Sequence, residues 1–142
     1  MSERIECFKI DDKMLILDKV LVYFQEIPLI FICKEEENAN NRYCALAVDT
    51  DNFLYLVVKV KVEDLIEYLE GNLSFVGLYN TNKKFYRIQA SDYSLDEDII
   101  EEVDSSLFKE HINYTEEVYF DNTPKDLKEY TENLKEITTV NK

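Results

Sequence analysis

Apolar and polar positions over the first sixty residues follow the pattern of sheet rather than helix. Residues 14–24 are rich in Leu, Ile, Val and aromatics, broken by Asp18-Lys19, which suits one long strand or a bent one. Gln25-Glu26-Ile27-Pro28 is expected to turn, with the proline at the start of the next strand. Residues 29–33 are continuously apolar, the mark of a central strand covered on both faces. A polar loop over residues 34–41 leads to a strand over 43–48. Asp49-Thr50-Asp51-Asn52 then closes a hairpin onto a strand over 53–60. A symmetric 34–41 loop sets Cys33 opposite Cys44, Phe31 opposite Leu46 and Leu29 opposite Val48. A slip of one residue would reverse the faces.

The period changes after Val60. Leu65, Ile66 and Leu69 within residues 62–70 predict a short amphipathic helix, stopped by Gly71 in a left-handed conformation. Residues 84–90 alternate Phe85, Arg87 and Gln89 against Tyr86, Ile88 and Ala90, and so return to strand. Ser94 followed by Glu97 has the form of a capping box, and Leu95, Ile99, Val103 and Leu107 recur every four residues. A helix is therefore predicted from Leu95, with Asp96, Glu97 and Asp98 in its first turn, where the helix dipole favours them. Residues 114–120 are expected to form a last strand. Thr123 then caps a C-terminal helix with Pro124 at its first position and Leu127, Tyr130, Leu134 and Ile137 as its stripe. No repeat, linker or low-complexity segment interrupts the 142 residues, which suit one globular domain over 1–142. The expected fold is α+β: an antiparallel β-meander sheet packed with short helices and a C-terminal amphipathic helix.

Several of these positions carry a resemblance. They are Tyr23, Pro28-Leu29-Ile30-Phe31, Tyr43-Cys44-Ala45-Leu46, Leu54-Tyr55-Leu56-Val57-Val58, Leu65 and Leu69-Glu70-Gly71-Asn72-Leu73-Ser74. In order and spacing, residues 22–78 resemble a small uncharacterised bacterial domain family whose members often sit in bacterial and mobile-element genomes. The resemblance implies a strand, a Pro-entered strand, two more strands, a short helix and a Gly-containing exit. It implies no activity, cofactor or site residue.

Composition narrows the function classes. Thirty acids against sixteen bases give a formal charge of −14, a field that repels phosphate backbones and anionic membranes. Neither nucleic acid nor membrane is an expected partner. The acidity is uneven: residues 1–90 hold 15 acids and 11 bases, whereas residues 91–142 hold 15 acids and 5 bases. Its densest run is Asp92, Asp96, Glu97, Asp98, Glu101, Glu102 and Asp104, with no base among them. On the predicted helix these carboxylates occupy the face opposite Leu95, Ile99 and Val103. Such a face is a wet surface that aids solubility, a docking surface for a basic partner, or a mimic of nucleic-acid phosphates. Like charges four apart on a helix each cost a few tenths of a kcal/mol. Tyr114, Tyr119 and Phe120 flank Glu116 and Glu117, a mixture suited to lysine- and arginine-rich surfaces.

Familiar catalytic chemistries find little support. Gly71 and Gly77 are the two glycines and no Gly-Lys pair exists, which excludes a phosphate-cradling loop. Asp49-Thr50-Asp51 and Asp92 to Asp96 both begin like an EF-hand loop. Leu54 and Glu97 stand where that loop needs glycine, and Val60 and Val103 where it needs glutamate. Cys33 and Cys44 lack the further ligands of a transition-metal site, and His111 has no nucleophile at a telling spacing. A pair of carboxylates working as acid and base has thirty candidates and no positional signal. The start, Met1-Ser2-Glu3-Arg4-Ile5-Glu6, lacks the regions of a secretory signal, and three cysteines are too few and odd for a disulfide framework. A cytoplasmic location is expected.

The pattern therefore points to a non-enzymatic, acidic protein-binding module without a cofactor or metal: an inhibitor, antitoxin-like or anti-defence protein masking a basic surface. Its expected contact residues are Asp96, Glu97, Asp98, Glu101, Glu102, Asp104, Glu116, Glu117 and Tyr119. An accessory subunit binding through an apolar sheet or helix face is the alternative. A carboxylate- or metal-dependent enzyme is the third.

Overall fold

The computed structural model describes residues 5–10, 12–24, 27–37, 41–49, 54–74, 77–78, 84–89, 99–104, 120 and 122–140. Seven strands form one antiparallel sheet in sequence order: β1 (Glu6–Ile10), β2 (Lys13–Phe24), β3 (Ile27–Glu35), β4 (Arg42–Asp49), β5 (Leu54–Val60), β6 (Lys84–Gln89) and β7 (Ile99–Asp104). Among the described residues the helices α1 (Val62–Leu69) and α2 (Pro124–Val140) accompany it. The fold is an α+β antiparallel meander.

Sheet residues are buried on both faces. One face carries Ile30, Ile32, Cys44, Leu46, Leu56 and Val58, against which Leu65, Ile66 and Leu69 of α1 and Leu134 of α2 pack. The other carries Phe31, Cys33, Tyr43, Ala45, Val57 and Ile88, and the sheet covers it by curling on itself. Phe8 of β1 meets Tyr55 of β5 edge-on, with ring centroids 5.1 Å apart, although β2, β3 and β4 lie between their strands. Phe31 completes the aromatic group, 6.0 Å from Phe8 and 5.9 Å from Tyr55. Burial of each such side chain contributes about 1.5–3 kcal/mol, which is what holds the curl. Bulges in β2, between Leu17 and Lys19 and again near Val22, supply the bend.

The β3–β4 register differs by one residue from a symmetric hairpin. Ile32 pairs with Cys44, Phe31 with Ala45 and Cys33 with Tyr43. Cys33 and Cys44 therefore lie on opposite faces and are not cross-strand neighbours. Both strands are apolar on both faces, so hydrophobic patterning left the register open. A polar contact favours the observed one: the Tyr43 hydroxyl donates to buried Glu35 Oε2 at 2.9 Å.

β1 has no counterpart in the expected elements. Its signal is the alternation of Phe8 and Ile10 with Lys9, followed by an aspartate turn in which Asp12 adopts φ +66°. Asp and Asn tolerate that left-handed conformation better than most side chains. α1 ends as its sequence predicts. Gly71 takes φ +85°, and the amides of Gly71 and Asn72 donate to the carbonyls of Tyr68 (3.1 Å) and Glu67 (2.8 Å).

Residues 99–104 overturn the helix predicted from Leu95. They form β7, paired along its length with β6. A four-residue apolar period is only a local preference, whereas β6 offers a row of backbone donors and acceptors that a strand satisfies. Ile99, Ile100 and Val103 are β-branched, which suits a strand. The remaining parts of that expectation, over 91–98 and 105–107, lie outside the described residues.

Candidate functional site

The expected contact residues divide in two. Asp96, Glu97, Asp98, Glu116, Glu117 and Tyr119 lie outside the described residues. Glu101, Glu102 and Asp104 fall on β7, the last strand of the described sheet. Strand alternation puts Glu102 and Asp104 at positions of one face and Glu101 at a position of the other. For these three residues the expected single helix face gives way to strand positions on two sides. Across the ladder, Arg87 stands opposite Glu101, Lys84 opposite Asp104 and Tyr86 opposite Glu102.

Candidate chemistry from the other motifs also moves. Of the two EF-hand-like starts, the structure describes only Asp49, at the end of β4, and His111 lies outside the described residues. Among the described residues no group of three His, Cys, Asp or Glu could hold a metal ion.

The structure gathers a polar cluster that sequence patterning missed. Asp18, at the β2 bulge, accepts from Arg42 Nε at 3.0 Å and from the Tyr130 hydroxyl at 2.5 Å. Lys34 Nζ is 3.7 Å from its other oxygen. Arg42 is 6% exposed at its side chain and Asp18 13%, so the pair is largely removed from water. The only local signal for this cluster is a charged residue inside an apolar strand.

The same region fastens α2 to the sheet. Lys19 Nζ lies 2.6 Å from Asp126 Oδ2, and Asn122 Nδ2 donates to the Val20 carbonyl at 3.0 Å. Asn122 Oδ1 is buried without a hydrogen-bond partner among the described residues. Thr123 Oγ1 accepts from the Asp126 amide at 3.1 Å, completing the start of the helix. A second buried carboxylate, Glu35, accepts from Asn41 Nδ2 and the Tyr43 hydroxyl, both at 2.9 Å. Asp18 and Glu35 thus direct oxygens to protein donors, which suits structural roles.

A cleft of about 300 Å³ separates the end of α1 from α2. Leu69 and Leu127 line it, Thr131 lies beside them, and the Lys135–Glu70 ion pair, 2.8 Å long, crosses its rim. The Thr131 hydroxyl donates to the Leu127 carbonyl within its own helix.

Burial sets the titration of two tyrosines. Desolvation pushes the Tyr68 and Tyr130 hydroxyls well above their ordinary range, and the Asp18 carboxylate adds to the effect at Tyr130. Their neutral forms stabilise the fold fully below the unfolded value near pH 10. As the pH rises above it, the unfolded chain loses these protons first, so stability falls. Urea titrations between about pH 8 and pH 11 are expected to show that decline, and Tyr68→Phe to lessen its slope. An unchanged slope in the variant would rule out Tyr68 as a contributor. The exposed ion pairs move two other groups: Lys19 lowers the Asp126 carboxyl and Glu70 raises the Lys135 ammonium.

Among the described residues no helix is long and apolar enough to cross a membrane. Set beside family models, curated proteins and solved structures, the chain matches none of them.

Proposed function

We propose that this chain is an acidic, non-enzymatic protein-binding module of the cytoplasm that masks a basic surface on another protein, as an inhibitor, antitoxin-like or anti-defence protein does. The observation that carries the proposal is the charge asymmetry: 15 acids against 5 bases over residues 91–142. Such a field steers a basic partner and speeds its association. Glu101, Glu102 and Asp104 on β7 give that acidity a fixed backbone within the sheet. The C-terminal helix is taken as amphipathic, its inner stripe serving the core and its outer residues adding to the acidic surface.

Strand alternation supplies the test. Glu101→Lys is compared with Glu102→Lys/Asp104→Lys on a basic partner recovered with the native protein, after circular dichroism has shown each variant folded. One of the two is expected to weaken binding at least about tenfold, identifying the side that docks. Undiminished binding by both, and by Glu97→Lys/Glu101→Lys/Glu102→Lys, would overturn the proposal.

The alternative of an apolar interface would use the sheet or the stripe of α2. Leu134, in the middle of that stripe, is 1% exposed and lies within the chain's own core. Leu134→Asp therefore reports on folding rather than on a partner.

A further inference from the structure

The cleft between α1 and α2 has a carboxylate on each side, Glu70 at the end of α1 and Glu132 on α2. Leu69 and Leu127 give it an apolar lining, and Thr131, 5% exposed, lines it as well. The Thr131 hydroxyl gives its proton to the Leu127 carbonyl, which leaves its oxygen able to accept. The carbonyl end of a helix favours a cation, yet the last turn of α1 holds no base. α2 sends one instead: Lys135 Nζ lies 2.8 Å from Glu70 Oε2. Glu70, with Glu132 and Glu67 beyond it, holds that ammonium above its ordinary pKa. Both members of the pair are exposed, Lys135 by 51% and Glu70 by 37%, so water screens the contact and it opens readily.

We propose that this cleft anchors one arginine side chain of the basic partner, whose guanidinium displaces Lys135 from Glu70 and reaches toward Glu132. The inference rests on the partner being basic, as proposed above, and adds where one of its side chains lodges. A cavity of about 300 Å³ is at the lower end of ligand-sized pockets and suits one long side chain rather than a whole helix. The arginine stem lies along Leu69 and Leu127, as long basic side chains do on apolar surface. Its planar guanidinium offers five donors and suits carboxylates on two sides with the Thr131 oxygen between, whereas the Lys135 ammonium is a compact point charge. Lys128, also in the lining, opposes an entering cation, but its exposed head can turn to solvent on its long stem.

The test titrates arginine amide into the folded full chain and follows backbone amide shifts by NMR, with norleucine amide as an apolar control. A probe that needs no partner keeps this result separate from that of capturing one. Arginine amide alone is expected to give saturable shifts confined to the end of α1 and to α2, with an affinity on the order of millimolar. Glu70→Gln and Glu132→Gln are each expected to weaken it at least about threefold, and Lys135→Met, which removes the internal competitor, to tighten it about threefold. All three positions are exposed, and circular dichroism checks that each variant is folded. Shifts that do not saturate or that spread over the whole acidic surface, or equal binding of norleucine amide, would overturn the assignment. A basic partner captured equally by the native and Glu70→Gln/Glu132→Gln chains would also overturn the anchor, while leaving the basic-partner reading in place.

Discussion

Leu134→Ala is expected to cost about 2–5 kcal/mol of folding stability, and Leu134→Asp to unfold the chain at neutral pH. Leu134 sits in α2 at 1% exposure, in the same cluster as Leu65, Ile66 and Leu69 of α1 and the sheet residues Ile32 and Leu46. Truncation leaves a cavity bounded by two helices and a sheet, elements that relax only partly around it. An aspartate carboxylate there would have to be buried charged or kept protonated, and either is costly. Domains of this kind are stable by only about 5–15 kcal/mol, so the alanine change alone is a large fraction of the total. Urea unfolding followed by circular dichroism measures it. A loss below about 1 kcal/mol for Leu134→Ala would mean that α2 is not part of the cooperative core.

Asp18→Ala carries the second large effect, about 3–5 kcal/mol. The substitution strands the Arg42 guanidinium, 6% exposed, without the carboxylate it donates to, and removes the acceptor of the Tyr130 hydroxyl. Arg42→Ala does the converse, leaving Asp18 facing Lys34 and Tyr130. Because the two residues act on each other, their losses are expected to be less than additive in a double-mutant cycle, by about 1 kcal/mol or more. Additive losses would show that Arg42 and Asp18 stabilise the fold independently. Replacement of both partners by apolar residues of similar volume should recover part of the loss, since the pair also costs desolvation.

These two positions show what a sequence reveals and what it hides. The central strands were legible because residues 29–33, 43–48 and 53–60 are short apolar runs bounded by polar clusters. The stop after α1 was legible because glycine alone adopts φ near +85° without strain. The β3–β4 register was not, because a one-residue slip exchanges one apolar face for another. β7 was misread for a different reason: Ser94 and Glu97 with a four-residue apolar period satisfy a local helix rule, while the edge of β6 is a tertiary fact. The Asp18 cluster lay deeper still. Its partners stand 24 and 112 residues away, so nothing local to Asp18 announces Arg42 or Tyr130.

The acidic reading of function also changes character with β7. A helix would have presented Glu97, Glu101 and Asp104 to one side; a strand divides Glu101 from Glu102 and Asp104. Opposite Glu101 and Asp104 on β6 stand Arg87 and Lys84, so two of the three acidic register positions are paired with basic ones along the ladder. The excess that steers a basic partner is therefore a property of the whole 91–142 stretch rather than of one helical stripe.

The salt dependence of capture tests that excess most directly. Tagged native protein and the Glu97→Lys/Glu101→Lys/Glu102→Lys variant are incubated with host lysate at about 50 mM and about 300 mM salt, and bound proteins are identified by mass spectrometry. The account predicts a basic protein held stoichiometrically by the native chain at the lower salt, released at the higher, and not held by the variant. A partner retained by both chains at both salt concentrations would contradict it.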